Sequence, residues 1–236
     1  MTRRTKAFTV ALIGPDGAGK TTLAQRLERD LPMPAEYIYM GVNAEASNHL
    51  LPTTRLIRAL KRRRGAPPDA GGPPDPADVS KPKPKGLARR TRRAVRSGLL
   101  LSNQLAEESY RHLIARRHVR RGSVVLFDRH FFSDYYAYDI AWNGPRPLSR
   151  RMHGWALQRI HPKPDLVIYL DAPAEVLLER KGEGTAEALE RRRGDYLALR
   201  EITPNFEVVD AGRPVDEVAD DLVRVVSEFS RRQDRL

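Results

Sequence analysis

The chain has 236 residues, of which 40% are hydrophobic and 31% charged, a composition typical of a soluble globular protein with one substantial core. It contains no cysteine, which excludes disulfides and thiolate metal sites, and its formal net charge is +12. No apolar run approaches the roughly 20 residues that span a bilayer. Its basic start leads into a strand pattern without a cleavage site, so we expect no signal peptide and a cytoplasmic protein.

Apolar runs alternate with helical patterns, which predicts a parallel sheet covered by helices. The first buried strand is predicted at 8–14, and a helix follows from Lys20 to about Asp30. Further strands are predicted at 36–40, 123–128, 165–171 and 206–210. The later strands end in polar or acidic residues, at the edge where an open α/β sheet binds its ligands.

Two segments interrupt this alternation. Residues 65–86 are rich in proline and glycine, which predicts a flexible insertion between helical stretches at about 53–64 and 87–120. Residues 179–196 are polar and basic, and we expect them to form a lid over a ligand site. We interpret 1–236 as a single domain with these two additions.

Arginine-rich clusters at 55–64, 89–96 and 116–121 carry much of the positive charge. Such clusters are compatible with binding to nucleic acid or to an anionic membrane. The interleaved aromatic pattern of an RNA-binding sheet does not accompany them. We therefore interpret them as solvated helix faces.

The segment from Gly14 to Thr21 fits the phosphate-loop pattern G-x-x-x-x-G-K-[ST], between a strand and a helix. Its glycines let consecutive N–H groups curl around an anion, and the helix that starts at Lys20 adds its dipole. The ammonium group of Lys20 reaches the β- and γ-phosphates, and the hydroxyl of Thr21 is placed to bind Mg²⁺. The predicted donor-binding residues here are Gly14, Pro15, Asp16, Gly17, Ala18, Gly19, Lys20, Thr21 and Thr22.

A second motif lies at the end of the third predicted strand. Asp128 ends that strand, where a carboxylate can hold Mg²⁺ or its waters. Arg129 follows, and we expect it beside the phosphates, where it would stabilise charge on the transferring group. His130 comes next, and we interpret it as structural rather than as a base. Aromatic residues at 133–142 are interpreted as packing, with a stacking role for one tyrosine left open.

These motifs favour phosphoryl transfer to a small acceptor over the other uses of a phosphate loop. An NKxD-type guanine-reading signal is absent, which argues against a GTPase. A kinase must exclude water, and the predicted lid would do so.

The four stretches GPDGAGKTT, DRH, PDLVIYLDAPAEVLLER and VVDAGRPVDEV occur in this order and resemble the thymidylate kinase family of P-loop nucleoside monophosphate kinases. The resemblance covers most of the chain outside about 41–106. It implies a three-layer α/β fold with a five-stranded parallel sheet, ATP as donor and Mg²⁺ as cofactor. It also implies a nucleotide acceptor and a homodimer.

The resemblance also implies roles for single residues. Asp16 would contact the sugar hydroxyl of the acceptor, and Arg129 would bridge its phosphate to the γ-phosphate. The loop Asp210–Pro214, with Arg213, would lie beside the adenine. Because Ala18 stands where some members have an arginine, the lid would supply the catalytic one, from Arg180 or from 191–193, with Arg192 as the central candidate.

The acceptor half departs from the family pattern. The family's Arg-Glu-Pro-Gly-Gly segment after the second strand has no counterpart in YMGVNAEASNHLLPTTR. Glu107 and Tyr110 stand where an arginine and a histidine are usual, and YAYD at 136–139 replaces Ala-Tyr-Gln, whose glutamine helps to read thymine.

Three hypotheses follow. The first is a kinase of thymidylate kinase type that phosphorylates a nucleoside monophosphate, dTMP to dTDP. The second keeps the chemistry but transfers to the hydroxyl of a sugar, glycan or other metabolite, with Asp16 or Asp128 as base. The third is a nucleic-acid-binding ATPase, motivated by the positive charge.

Overall fold

The structure is a computed structural model, and it describes residues 6–41, 47, 49–63, 87–130, 148–159, 161–182 and 185–235. The predicted insertion at 65–86 and the aromatic cluster at 133–142 lie outside these residues. None of the helices described is both long and apolar enough to cross a membrane.

The elements follow one another as β1 (Thr9–Ile13), α1 (Lys20–Asp30), β2 (Ala35–Tyr39), α2 (Pro52–Arg63), α3 (Leu87–Arg121), β3 (Val124–Asp128), α4 (Leu148–Arg159), β4 (Leu166–Asp171), α5 (Ala174–Lys181), α6 (Ala186–Ala198), a 3₁₀ turn (Leu199–Ile202), β5 (Phe206–Asp210) and α7 (Val215–Gln233). The strands form one five-stranded sheet with the order β2-β3-β1-β4-β5. Each neighbouring pair is parallel. The predicted fold class is confirmed, and each predicted strand is present.

Both faces of the sheet are covered, which explains why its strands are almost continuously apolar. Val10 and Leu12 of β1 pack into one core with α1 and α7. Ala11 and Ile13 point to the opposite face and pack into a second core with α3 and α6. Side chains that alternate along each strand therefore pack into two cores, one on each face of the sheet. The result is three layers, with helices on both sides of the sheet.

The order of the strands brings the sequence motifs together. β1 lies between β3 and β4, with Leu12 opposite Asp128 and Ile13 opposite Tyr169. In a parallel sheet the carboxyl ends of all strands meet at one edge. The phosphate loop after β1 therefore lies between the end of β3 and the end of β4.

Candidate active site

The phosphate loop connects β1 to α1 and packs tightly against its neighbours. Gly14 has φ 152°, and a Cβ atom there would lie 2.9 Å from the carbonyl oxygen of Leu170. Gly17 has φ 92°, and a Cβ there would lie 3.2 Å from the carbonyl oxygen of Leu177 on α5. Glycine is needed at these two positions both for the backbone conformation and for the close approach.

The remaining loop residues surround one buried ammonium group. Nζ of Lys20 donates to the carbonyl oxygens of Gly14, at 2.8 Å, and Pro15, at 2.7 Å. It also lies 3.7 Å from Oδ1 of Asp16. Pro15 and Ala18 are buried, whereas Thr21 and Thr22 are exposed in the first turn of α1. The predicted donor-binding residues thus form one continuous loop with the lysine inside its curve.

Thr21 meets the carboxylate that ends β3. Its hydroxyl donates to Oδ2 of Asp128 at 2.6 Å, and the hydroxyl of Tyr37 on β2 donates to the same oxygen at 3.0 Å. Burial and the negative charge of Asp128 raise the pKa of Tyr37, so the phenol stays protonated and acts as a donor. Sequence reasoning did not find Tyr37, because it lies in the middle of β2 and not at the strand end where ligand-binding residues are expected.

The same two residues fit a magnesium ion. Oδ1 of Asp128 is buried and has no hydrogen-bond partner among the described residues. Mg²⁺ prefers oxygen ligands, and it usually combines one or two protein groups with waters and substrate phosphates. Within the described part of the chain, no group of three or more histidine or acidic side chains could hold a metal alone. An orphaned carboxylate oxygen beside a hydroxyl therefore suits an ion that also binds phosphate.

Arg129 links the end of β3 to the phosphate loop. Its guanidinium donates to Oδ1 of Asp16 at 2.5 Å. Arg129 has φ 66°, an uncommon conformation for a residue with a side chain, and its N–H donates to the carbonyl of Leu12 at 3.0 Å. Burial would raise the pKa of Asp16, but Lys20, Arg129 and Lys181 together hold it below its usual value. Asp16 is therefore ionised, and its carboxylate is shared by three cationic side chains.

The segment predicted to be a lid contributes one cation to this cluster, and another of its cations forms an ion pair outside it. Nζ of Lys181, at the end of α5, lies 4.0 Å from Oδ2 of Asp16. On α6, Arg193 forms a two-pronged pair with Asp171, with distances of 2.7 and 2.8 Å. Lys181 was not predicted from the sequence, because nothing in this basic segment distinguishes it from the neighbouring arginines.

The two arginines of the predicted lid that are candidates for the catalytic role lie on different helices. Arg180, on α5, donates to the carbonyl oxygen of Ala211 at 2.8 Å. That carbonyl belongs to the loop after β5, so Arg180 contacts the segment expected beside the adenine. Arg192 is half-buried on α6, and its assignment as the catalytic lid arginine stays a prediction.

Arg213 lies in the predicted adenine-side loop but is surrounded by carboxylates. Its guanidinium pairs with Asp221, and it lies 3.7 Å from Asp210 and 3.8 Å from Glu217. These pairs tie the loop to the start of α7. A contact of Arg213 with the donor stays a prediction.

Comparisons with known proteins place this arrangement in a family. No protein-family model matches the chain. It is 30% identical over 231 residues to a probable thymidylate kinase from Pyrobaculum aerophilum, covering 94% of this chain and 97% of that protein. The chain belongs to the thymidylate kinase family.

Other members agree over different lengths. A probable thymidylate kinase 1 from Saccharolobus solfataricus is 25% identical over 227 residues, or 93% of this chain and 96% of that protein. A probable thymidylate kinase from Archaeoglobus fulgidus is 32% identical over 118 residues, and the match spans only 57% of its length. The solved thymidylate kinase from Candida albicans shares the fold, with a TM-score of 0.59 and 16% identity over 97% of this chain and 94% of that one.

In this member of the thymidylate kinase family, two side chains of α3 hold the loop after β2. Glu107 on α3 accepts hydrogen bonds from the N–H of Leu51, at 3.1 and 3.2 Å. Arg111, one turn later, donates to the carbonyl oxygens of Gly41, at 2.9 Å, and His49, at 3.2 Å. Both side chains are buried, so a Glu–Arg strap from α3 fastens the two ends of this loop.

Gly41, whose carbonyl oxygen accepts from Arg111 of the strap, also lies next to Arg129. A Cβ atom at Gly41 would lie 2.7 Å from Cδ of Arg129 and would clash with the ring of Tyr39. The loop after β2 therefore starts directly against the arginine that contacts the phosphate loop. Sequence reasoning found Glu107 as a departure from the thymidylate kinase pattern but not its partner Arg111.

Three buried histidines, His112, His130 and His161, and the partly buried His153 form a cluster next to the end of β3. The ring of His112 stacks on His161 at 4.8 Å and meets His130 edge-on at 5.5 Å. Glu108, also buried, lies 2.7 Å from Nε2 of His153 and 3.9 Å from Nε2 of His161. Burial, and then the neighbouring histidines, lower the pKa of His112 to about 2 and that of His130 to about 3. The interpretation of His130 as structural agrees with this burial.

Proposed function

We propose that the protein is an ATP-dependent kinase that transfers the γ-phosphoryl group to a nucleoside monophosphate, converting dTMP to dTDP. The observation that carries the proposal is the meeting of Arg129 with the phosphate loop at Asp16. This contact with the phosphate loop supports a role for the guanidinium in bridging an acceptor phosphate to the donor phosphates. The named relatives support thymidylate as the acceptor.

Each element of the site has a role in this reaction. The backbone N–H groups of Asp16 to Thr21 and the ammonium of Lys20 bind the donor phosphates. Thr21 and Asp128 would hold Mg²⁺, which neutralises charge on the phosphates when it is bound. Arg129 would orient the acceptor phosphate, and Asp16 would position the acceptor sugar. Arg180 or Arg192 of the lid would complete the charge stabilisation once the lid excludes water.

The lowered pKa of Asp16 favours a phosphate acceptor over a hydroxyl acceptor. A carboxylate held ionised by three cations is a weak base. The oxygen of a phosphate acceptor is already anionic and needs little base catalysis, whereas a free hydroxyl needs a base. Asp16 therefore suits positioning better than proton removal, which supports a nucleotide acceptor.

A coupled assay of ADP formation tests the proposal. dTMP, other nucleoside monophosphates and free sugars are compared as acceptors. We expect strong stimulation by dTMP and loss of turnover in Lys20→Ala, with unchanged circular dichroism. Stimulation by sugars alone would instead support the hydroxyl-directed kinase, and unchanged turnover in Lys20→Ala would refute the mechanism.

We also propose that the enzyme is cytoplasmic and forms a homodimer. Leu113 on α3, and Met152 and Trp155 on α4, are exposed apolar side chains on two helices that pack together. Burying this cluster between two copies would remove apolar surface from water. Light scattering should give a dimer mass for the native chain and a monomer mass for Trp155→Glu. A monomeric native chain would refute the dimer.

A further inference from the structure

Two helices on the β2 side of the molecule share an unusual charge pattern. α2 contains five arginine or lysine residues and no acidic residue. The first part of α3, residues 87–99, contains five arginines and again no acidic residue. We call α2 and residues 87–99 of α3 together the basic helical surface. Ten cations with no anion exceed what a solvated face needs for solubility.

The basic helical surface also exposes aliphatic side chains in pairs. On α2, Leu56 is 63% exposed and Leu60 is 45% exposed. On α3, Val95 is 63% exposed and Leu99 is 68% exposed. In each pair the residues are four positions apart and share a helix face. Each helix therefore exposes a row of two aliphatic side chains within a sequence that has arginines or lysines and no acidic residue.

One contact brings the two rows near each other. The hydroxyl of Thr54, in the first turn of α2, donates to Oδ1 of Asn103 on α3 at 3.4 Å. Leu56 follows Thr54 by two positions, and Leu99 precedes Asn103 by one helical turn. The row of α2 thus begins, and the row of α3 ends, within about one helical turn of this contact.

We propose that the basic helical surface binds the surface of an anionic lipid membrane. Amphipathic helices of this kind lie in the plane of the bilayer interface, with aliphatic residues among the acyl chains and arginines at the headgroups. Both halves of the observed pattern, the cations and the exposed aliphatic rows, contribute to that mode of binding. The proposal is independent of the proposed acceptor.

Two other partners fit the pattern less well. Nucleic acid would pair with the cations, but phosphate contacts leave Leu56, Leu60, Val95 and Leu99 in water without benefit. A second copy bound symmetrically through this surface would place like charges against each other, which is repulsive. Only an anionic lipid surface satisfies the charge and the aliphatic rows together.

Vesicle flotation with the full chain tests the proposal. Vesicles of phosphatidylcholine alone are compared with vesicles that contain about one third phosphatidylglycerol, an anionic lipid. We expect binding only to the anionic vesicles, weakened at least about tenfold when the salt is raised from about 50 to about 300 mM. No flotation with anionic vesicles at low salt would overturn the proposal.

Substitutions separate the aliphatic rows from the charge. Leu56→Ser with Leu60→Ser, and Val95→Ser with Leu99→Ser, should each reduce vesicle binding about tenfold or more and leave ADP formation unchanged. The matched control is Val215→Ser, because Val215 is an exposed valine on α7, outside the surface. Equal loss in the control would contradict the proposal, and so would unaltered flotation in both double variants.

The same variants distinguish the rival partners. If the serine variants float with anionic vesicles as well as the native chain does, and duplex DNA binds both with equal affinity, the surface is a nucleic-acid site and the proposal fails. If the serine substitutions change the mass in solution but not flotation, the surface is an interface between copies. If the serine variants lose flotation while their mass in solution and their affinity for DNA stay unchanged, the result supports binding to an anionic membrane.

Discussion

Arg129 and Asp16 are 113 positions apart in the sequence, yet the guanidinium of one donates to Oδ1 of the other at 2.5 Å. Their contact joins the end of β3 to the phosphate loop. It also places a delocalised cation beside the ammonium of Lys20, with one carboxylate shared between them.

Arg129→Lys isolates the contribution of the guanidinium fork. Lysine keeps the charge and faces the same cost of a positive φ, so only the geometry of the donors changes. We expect the rate of phosphoryl transfer to fall by about a hundredfold or more. The control is Arg224→Lys, because the ion pairs of Arg224 stay within α7. Equal rates for the two variants would rule out a role for Arg129 in transfer.

Asp128→Asn tests the proposed magnesium site. The amide keeps the shape of the side chain but removes the charge of the oxygen that has no hydrogen-bond partner. We expect a higher Mg²⁺ concentration to be needed for half-maximal rate at saturating ATP, and a smaller increase in Tyr37→Phe, which keeps the carboxylate. An unchanged Mg²⁺ dependence in Asp128→Asn would place the ion elsewhere.

Steady-state kinetics can distinguish the roles of the two arginines in the predicted lid. Arg180 donates to the carbonyl oxygen of Ala211, so Arg180→Ala should raise KM for ATP more than it lowers kcat. Arg192→Ala should lower kcat, whereas Arg191→Ala, at an exposed neighbouring position, serves as control. If Arg191→Ala and Arg192→Ala behave alike, the catalytic arginine is not Arg192.

The Glu–Arg strap should affect stability and acceptor binding together. Arg111→Met leaves the buried carboxylate of Glu107 without its charge partner, at a cost of about 3–5 kcal/mol in the free energy of unfolding. Glu107→Gln keeps an acceptor for the N–H of Leu51 and should cost less. Urea unfolding measures both, with Arg117→Met, an exposed site on the same helix, as control.

Under conditions where the strap variants stay folded, we expect KM for the acceptor to rise while KM for ATP changes little. The reason is that the strap fastens the loop that begins at Gly41, against Arg129, and does not touch the phosphate loop. Parallel increases in both KM values would instead indicate a general loss of structure.

The buried histidines predict a loss of stability in acid. His112 and His130 have folded-state pKa values of about 2 and about 3, below the ordinary histidine value. Below about pH 6.5 the unfolded chain therefore binds protons that the folded chain does not. Stability should fall with decreasing pH by up to about 1.4 kcal/mol per unit for each histidine.

Urea unfolding between about pH 7.5 and pH 5 measures this slope. His161, His153, Glu108 and Arg116 face the two rings or each other, so their charges contribute as well. In His112→Phe the slope should be shallower, because one ring can no longer take up a proton on unfolding. The same slope as in the native chain would show that His112 is not responsible.

The fold and the phosphate loop could be predicted from the sequence because their signals are local. The strands of a sheet that is buried on both faces are continuous apolar runs, and the phosphate loop is one uninterrupted motif. The end of β3 and the phosphate loop meet because parallel strands share one edge, which follows from the predicted topology.

The contacts that could not be predicted depend on helix phase and on distance along the chain. Arg193 reaches Asp171 across 22 positions, and only the rotation of α6 distinguishes it from its two arginine neighbours. Arg111 contacts Gly41 across 70 positions, through a loop with no recognisable pattern. The histidine cluster unites side chains from several elements, and no spacing in the sequence marks them as partners.

The position of β1 between β3 and β4 has a consequence for how such a kinase can diversify. The phosphate loop has Arg129 and the strapped loop on one flank and α5 and α6 on the other. The two flanks meet at the phosphate loop and in the second core, where α3 and α6 both pack. Under the proposed function, an exchange of only the loop between β2 and α2 with that of another member should alter which acceptor is phosphorylated and leave the binding of ATP in place.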